Sequence, residues 1–283
     1  MIIFNRYVGA ILLVFLFLNS SHVMALEAFF DEDIRTRYAP QEPELTDLDL
    51  DVLMLCGNWG DEVKAVDFET MMRTKGNQAV VTRLRKALGN RIFSKAKNDR
   101  DFIHQLRRVW FEQKGFQHVF CGEPDRYSLG GFHYAARYWQ AQDKGWAGYR
   151  KLAKNIHQRP IVKCQKFYLQ EKINDPVYSV SIAYMAPQTN RQKVKCLSGY
   201  NREMNAERLL LAGTRAFKQA NRRVGKNTKE ACLYQTRQQG IKANYNQMVI
   251  KQRALRTFYP IADKRPYCRK NKKNISACLC SNL

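Results

Sequence analysis

The apolar positions of this chain change period along its length. Between Phe68 and Lys114 they recur at helical spacing. Val80, Val81, Leu84 and Leu88 form one stripe, with Gly89 placed to close the helix, and Phe102, Ile103, Leu106, Val109 and Trp110 form a second that ends near Gly115. His104 falls on this second helix, where an exposed or packed residue is expected rather than a catalytic one. Tyr134 to Gln142 predicts a short helix broken at Gly145 and Gly148. From Ile161 to Tyr184 the pattern turns to strand alternation, clearest over Val177–Tyr184. Ala206 to Ala220 returns to helix, with Leu209, Leu210, Ala212, Gly213 and Phe217 within it. Tyr245 to Tyr259 predicts a hairpin: Gln247–Lys251, a short turn, then Ala254–Tyr259. There is no internal repeat. Helices early and strands late give an α+β class, a helical amino-terminal part followed by a region of antiparallel sheets.

Composition supports a folded chain with ample core: 283 residues, 45% hydrophobic and 12% aromatic. The net charge of +23 calls for an anionic partner, whether nucleic acid, anionic lipid or acidic polysaccharide. The charge is uneven. Acids dominate from Glu27 to Glu69, and basic residues dominate afterwards. With Pro40 and Pro43 inside it, the acidic stretch reads as a solvated, linker-like amino-terminal segment, the alternative being that it packs against the basic body and shields it. Ahead of it, Arg6, the apolar run Val8–Leu18 and the small residues around Val23-Met24-Ala25 read as a signal peptide cleaved near Ala25, which predicts a secreted or periplasmic protein with no transmembrane segment in the mature chain. All eight cysteines follow that point, an even number that predicts disulfides. Cys278 and Cys280 lie too close for an easy mutual bond, so each is expected to pair elsewhere. Zinc is the competing reading, but C-x-x-C spacing is absent. The chain thus divides into 1–25 signal peptide, 26–69 acidic segment, 70–114 helical region, 115–262 mixed helix-and-strand region and 263–283 basic, cysteine-containing tail.

The chemistry concentrates in two of the five histidines. His118 lies in Gly115-Phe116-Gln117-His118-Val119-Phe120-Cys121-Gly122-Glu123, and His133 in Gly130-Gly131-Phe132-His133. Imidazole exchanges a proton near neutral pH, so two facing one site make a general base and a general acid. In a basic protein, that pair suits RNA cleavage without water as nucleophile. A base takes the 2′-hydroxyl proton, the oxygen attacks the adjacent phosphorus, an acid protonates the departing 5′-oxygen, and a cation holds the charge on the phosphoryl oxygens. The products are a 2′,3′-cyclic phosphate and a 5′-hydroxyl, and the mechanism requires no metal or cofactor. The cation is sought in Lys193-Val194-Lys195-Cys196-Leu197-Ser198, as Lys195 or its rival Lys193. Cys121 is expected to be disulfide-bonded, bracing the histidine loop, rather than to serve as a nucleophile.

These motifs resemble the EndoU-type, uridylate-preferring endoribonucleases. The likeness is carried by GFQHVFCGE, by GGFHYAARYWQAQDKGWAGYRK, by Lys195 followed by Ser198, and by Arg256-Thr257-Phe258-Tyr259-Pro260. It spans about Gly115 to Pro260. The resemblance implies an EndoU-like catalytic region in 115–262 that cleaves single-stranded RNA at uridylates, with His118, His133 and Lys195 catalytic. Glu123 and Gln117 would support them, while Ser198, Thr257 and Tyr259 would bind the nucleotide. It admits manganese but assigns no metal ligand, and it implies RNA as partner, joined by a neutralising immunity protein if the enzyme is a toxin. The chain departs from the pattern in having Gln117 where many members have glutamate and Tyr134 after the second histidine, and Ile156–Gln170 reads as an insertion. The alternative function is a non-catalytic secreted protein with the same fold that binds RNA, heparin-like chains or membranes.

Overall fold

A computed structural model describes residues 26–31, 40–150, 161–164, 167–220, 228–236, 243–263, 266, 268 and 274–282. The expected signal segment, part of the basic tail and His157 lie outside the described residues. Four helices come first: α1 (Asp47–Cys56), α2 (Ala65–Arg73), α3 (Gln78–Ala87) and α4 (Asp99–Phe111). Helix α3 carries the stripe Val80, Val81 and Leu84, and Gly89 follows it at φ +66°. Helix α4 is capped by Asn98, whose side chain accepts from Asp101 N, and it buries Phe102, Ile103, Leu106, Val109 and Trp110. His104 is on its exposed face, with Nδ1 3.4 Å from Glu69 Oε1.

After α4 the chain makes a π-helical turn (Gln117–Cys121), a two-rung hairpin of β1 (Glu123–Pro124) and β2 (Leu129–Gly130), and helix α5 (Ala135–Asp143). The strands that follow are β3 (Ala147–Tyr149), β4 (Ile161–Cys164), β5 (Phe167–Gln170), β6 (Lys172–Asn174), β7 (Val177–Ala186) and β8 (Arg191–Asn201). Strand β7 is central. It pairs antiparallel with β8 along one edge and with β3 and β6 along the other. Within the expected insertion, β4 and β5 pair as a separate ribbon. Helix α6 (Ala206–Ala220) then leads to an antiparallel sheet of β9 (Lys229–Thr236), β10 (Asn244–Lys251) and β11 (Ala254–Ile261). The β10–β11 turn, Gln252-Arg253, has both residues at positive φ, as a two-residue hairpin requires. The α+β architecture is therefore as the apolar pattern predicts.

Two hydrophobic cores form. One joins α1–α4 and α6 to the β9–β11 sheet. The other packs Phe29, Phe30, α5 and the inner face of β7: Tyr178, Val180, Ile182, Tyr184 and Ala186. The expectation of a solvated acidic segment is corrected here. Phe29, Phe30, Leu48, Val52, Leu53 and Cys56 are all buried, because apolar residues are interleaved with the acids and form a helix face of their own. Asp49 is itself fully buried. Its carboxylate accepts from Thr46 N (2.7 Å), Thr46 Oγ1 (2.6 Å), Ala206 N (2.6 Å) and the Tyr134 hydroxyl. It thereby ties α1 and the start of α6 to the residue after His133.

Disulfides join Cys56 to Cys121, Cys232 to Cys280 and Cys268 to Cys278, and Cys196 is disulfide-bonded as well. Cys278 and Cys280 thus pair elsewhere, and Cys121 anchors the π-helical turn to α1. No helix among the described residues is long and apolar enough to cross a membrane.

Candidate active site

The histidines lie where the two cores meet. Val119 and Phe120, beside His118, are buried in the first core, while Phe132, beside His133, is buried in the second. The backbones on either side are bonded to each other: Phe132 N donates to His118 O (2.8 Å) and His133 N to Val119 O (2.9 Å). So close an approach explains the paired glycines. Gly131 has φ +61°, and a Cβ there would stand 1.7 Å from His118 O; a Cβ on Gly130 would stand 2.5 Å from Glu123 Oε2. Phe132 also holds positive φ (70°), fixed by stacking on Tyr138 at 4.0 Å.

The two imidazole rings are 5.8 Å apart. Nδ1 of His118 is 2.7 Å from Glu123 Oε2, and Nδ1 of His133 is 3.0 Å from Gly199 O. A carboxylate and a carbonyl can only accept, so each Nδ1 carries the hydrogen and each Nε2 is left open, with no hydrogen-bond partner among the described residues. Burial lowers the His118 pKa, an effect the Glu123 contact opposes and the Arg256 charge adds to. His133 is pushed well below the ordinary histidine value by burial, then by the charges of Lys195 and His118. Against its own burial, Glu123 is held at about 2 by hydrogen bonds from His118 and Arg256. Arg256 grips both carboxylate oxygens, at 2.8 and 2.7 Å.

Two β-bulges aim the remaining groups. In β8, Lys195 lies opposite Ile182 and Ser198 opposite Val180, so β8 spends one residue more than β7 between those rungs. In a regular strand, residues three apart face opposite ways. The extra residue turns Lys195 and Ser198 the same way, and the Lys195 ammonium and the Ser198 hydroxyl (3.1 Å) both donate to Gly131 O. Ser198 Oγ also lies 2.8 Å from Phe132 O, so the hydroxyl supports the histidine loop. Burial lowers Lys195 to about 7, opposed by the Glu123 charge. The rival, Lys193, lies two rungs farther along, opposite Tyr184, and makes no hydrogen bond to this loop among the described residues. In β11, Leu255 pairs with Ile250 and Thr257 with Val249, which leaves Arg256 as the extra residue, turned toward Glu123. Arg256 was not expected as a site residue; the sequence signal was only its place in the Arg-Thr-Phe-Tyr-Pro motif.

Tyr259 stacks on His133 with centroids 5.0 Å apart and donates to Gln247 Oε1 (3.1 Å). Thr257 is buried, and its Oγ1 has no hydrogen-bond partner among the described residues. Gln117 is turned away from both histidines. It accepts from Val63 N (2.9 Å) and donates to Asp61 O and Gly122 O (both 3.0 Å), which locks the π-helical turn against the segment after α1. The donors here do not suit manganese. Glu123 is already neutralised by Arg256 and His118, Gln117 is an amide facing backbone, and no cluster of three His, Cys, Asp or Glu side chains able to hold a metal occurs among the described residues.

The family profile described as bacterial EndoU nuclease matches residues 112–262. Two solved structures are similar at low identity. One is XendoU, a splicing-independent snoRNA-processing endoribonuclease, at 18% identity and TM-score 0.43 over 77% of this chain and 76% of that one. The other is the endoribonuclease Nsp15 of Middle East Respiratory Syndrome Coronavirus, at 15% identity and TM-score 0.31 over 52% of this chain and 33% of that one. No curated protein matches the sequence.

Proposed function

The chain belongs to the bacterial EndoU nuclease family, and on that premise we propose that it is an exported endoribonuclease that cuts single-stranded RNA at uridylates by attack of the 2′-hydroxyl. The observation that carries this reading is the pair of imidazoles 5.8 Å apart, each with Nδ1 held by an acceptor and Nε2 open. Their surroundings divide the labour. His133 is backed by a neutral carbonyl, buried and beside Lys195, so it rests unprotonated and acts as the base toward the 2′-hydroxyl. His118 is also lowered by burial, but less so, because the Glu123 carboxylate behind it favours the imidazolium; of the two it is the one that acts as the acid toward the departing 5′-oxygen.

Lys195 stabilises the charge that grows on the phosphoryl oxygens. With a pKa of about 7 it is only partly charged at neutral pH, and an entering phosphate recruits the protonated form. The attacking 2′-oxygen forms a bond to phosphorus as the bond to the 5′-oxygen breaks, leaving a 2′,3′-cyclic phosphate and a 5′-hydroxyl. Tyr259 beside His133 supplies a stacking face for the uracil, and the unpartnered Thr257 hydroxyl supplies a hydrogen-bonding group for it. The disulfides support export to an oxidising compartment.

End-group analysis of a uridine-containing oligonucleotide tests this directly. The expected products are cyclic phosphate and 5′-hydroxyl ends, lost when the target uridine is 2′-deoxy and lost in His133→Ala. Wild-type cleavage by His133→Ala would overturn the assignment.

A further inference from the structure

The turn between the two histidines, and the rival lysine, are left unused by this chemistry. Residues Asp125–Ser128 join β1 to β2. Tyr127 at the tip is 75% exposed, and the Arg126 guanidinium lies 4.5 Å over its ring. An exposed aromatic usually indicates a loose loop, but this one is fixed. Asp125 Oδ1 accepts from both Tyr127 N and Ser128 N at 2.6 Å, and Asp125 N donates to Ser128 O at 2.8 Å. The turn is also set against the central strand, where the Tyr184 hydroxyl donates to Asp125 O (3.4 Å).

Tyr184 pairs with Lys193, and partners directly opposite in an antiparallel ladder share a face. Lys193 therefore lies on the same side of the sheet as the turn. Between Arg191 and Lys195 the ladder is regular, so Arg191, Lys193 and Lys195 all point that way, about 7 Å apart along the strand. Neither Arg191 nor Lys193 pairs with an acid among the described residues, and Arg191 is exposed. The tip of the turn is on the order of 10 Å from Glu123, by strand rise. That places an aromatic face and its cation one or two nucleotides from the reacting phosphate.

We propose that Lys193 and Arg191 bind successive phosphates on one side of the scissile bond, and that the Arg126–Tyr127 pair stacks on a base of that same flanking RNA. The site is thus an extended single-strand track that starts at Lys195. This rests on the endoribonuclease reading. The principle is the usual one for single strands, a cationic line that follows the backbone beside aromatic faces that accept any base.

The test compares cleavage of a uridine-containing dinucleotide with that of nonamers extended on the 5′ or the 3′ side. For one of the two nonamers, Tyr127→Ala lowers the ratio of kcat/KM for nonamer over dinucleotide by about tenfold, and Tyr127→Phe restores it. Binding is read separately, by fluorescence anisotropy on a nonamer with 2′-deoxyuridine at every uridine. There Lys193→Ala and Arg191→Ala each reduce the slope of log affinity against log salt by about 0.7. Equal losses on dinucleotide and nonamer, or no loss on either nonamer with an unchanged salt slope, would overturn the track. If the wild-type protein cuts neither substrate while the anisotropy effects remain, the endoribonuclease reading fails and the track stands.

Discussion

Replacing Glu123 by glutamine removes one charge on which three others depend. The carboxylate accepts from His118 Nδ1 and from two Arg256 nitrogens, and its field also favours protonated Lys195. The carboxyl sets the scale: held at about 2 instead of 4.5 it contributes about 3 kcal/mol net of its burial cost, through His118 and Arg256 mainly. The folded value lies below the unfolded one. The contribution is therefore complete above about pH 4.5 and disappears as pH falls through about 2. Denaturant unfolding of Glu123→Gln is expected to show a deficit of up to about 3 kcal/mol at pH 5 that shrinks steadily toward pH 2.

Activity moves in a fixed direction as well. Without the carboxylate, nothing opposes the burial and the Arg256 charge that push His118 down, and Lys195 loses the charge that raises it. In the proposed mechanism both groups act protonated, so the basic limb of kcat/KM is expected to move to lower pH. The rate at pH 7 falls about tenfold for each pH unit moved. The wild-type limb is expected at or below about 7, because burial lowers Lys195 to about that value. A Glu123→Gln profile that overlays the wild type, or whose basic limb moves upward, would refute the assigned coupling.

Two further expectations concern the frame that holds the site. Asp49→Ala strips the acceptor from the Tyr134 hydroxyl, Ala206 N and Thr46, leaving buried donors unpaired; equilibrium denaturation should show a loss of about 3 kcal/mol or more, and a loss below about 1 kcal/mol would contradict the hub assigned to it. Removing the Cys56–Cys121 bridge by paired serine substitution frees a loop with a sequence separation of 65, and is expected to cost about 4 kcal/mol and to lower the cleavage rate, because the bridge anchors the His118 turn; an unchanged melting temperature and rate would count against it.

What could be read from the sequence follows from the periods that physical chemistry imposes on it. Helix α6 occupies the expected Ala206–Ala220, and the β10–β11 hairpin turns between the expected strands, because each buries one regular stripe. Helix α1 was hidden by its composition. Asp47, Asp49 and Asp51 give it the charge of a solvated segment, while Leu48, Val52 and Leu53 give it a core face, and Asp49 itself turns inward. The histidines were legible because the close approach of Gly131 to His118 demands glycine beside them.

The convergence of the remaining groups was not legible, because it depends on residues that break the period. Counted as a regular strand, β8 would send Lys195 and Ser198 to opposite faces. One extra residue in that strand brings both to Gly131 O, and one extra residue in β11 turns Arg256 onto Glu123. The same arithmetic separates the two lysines. They share a face, so alternation alone cannot choose between them; the bulge fixes which one stands beside the histidine loop, and the regular ladder beyond it carries Lys193 outward toward the Tyr127 turn. A bulge has no side-chain signature of its own, since it is specified by the register of both strands at once. The irregular residues thus carry the functional geometry, while the regular ones carry the fold.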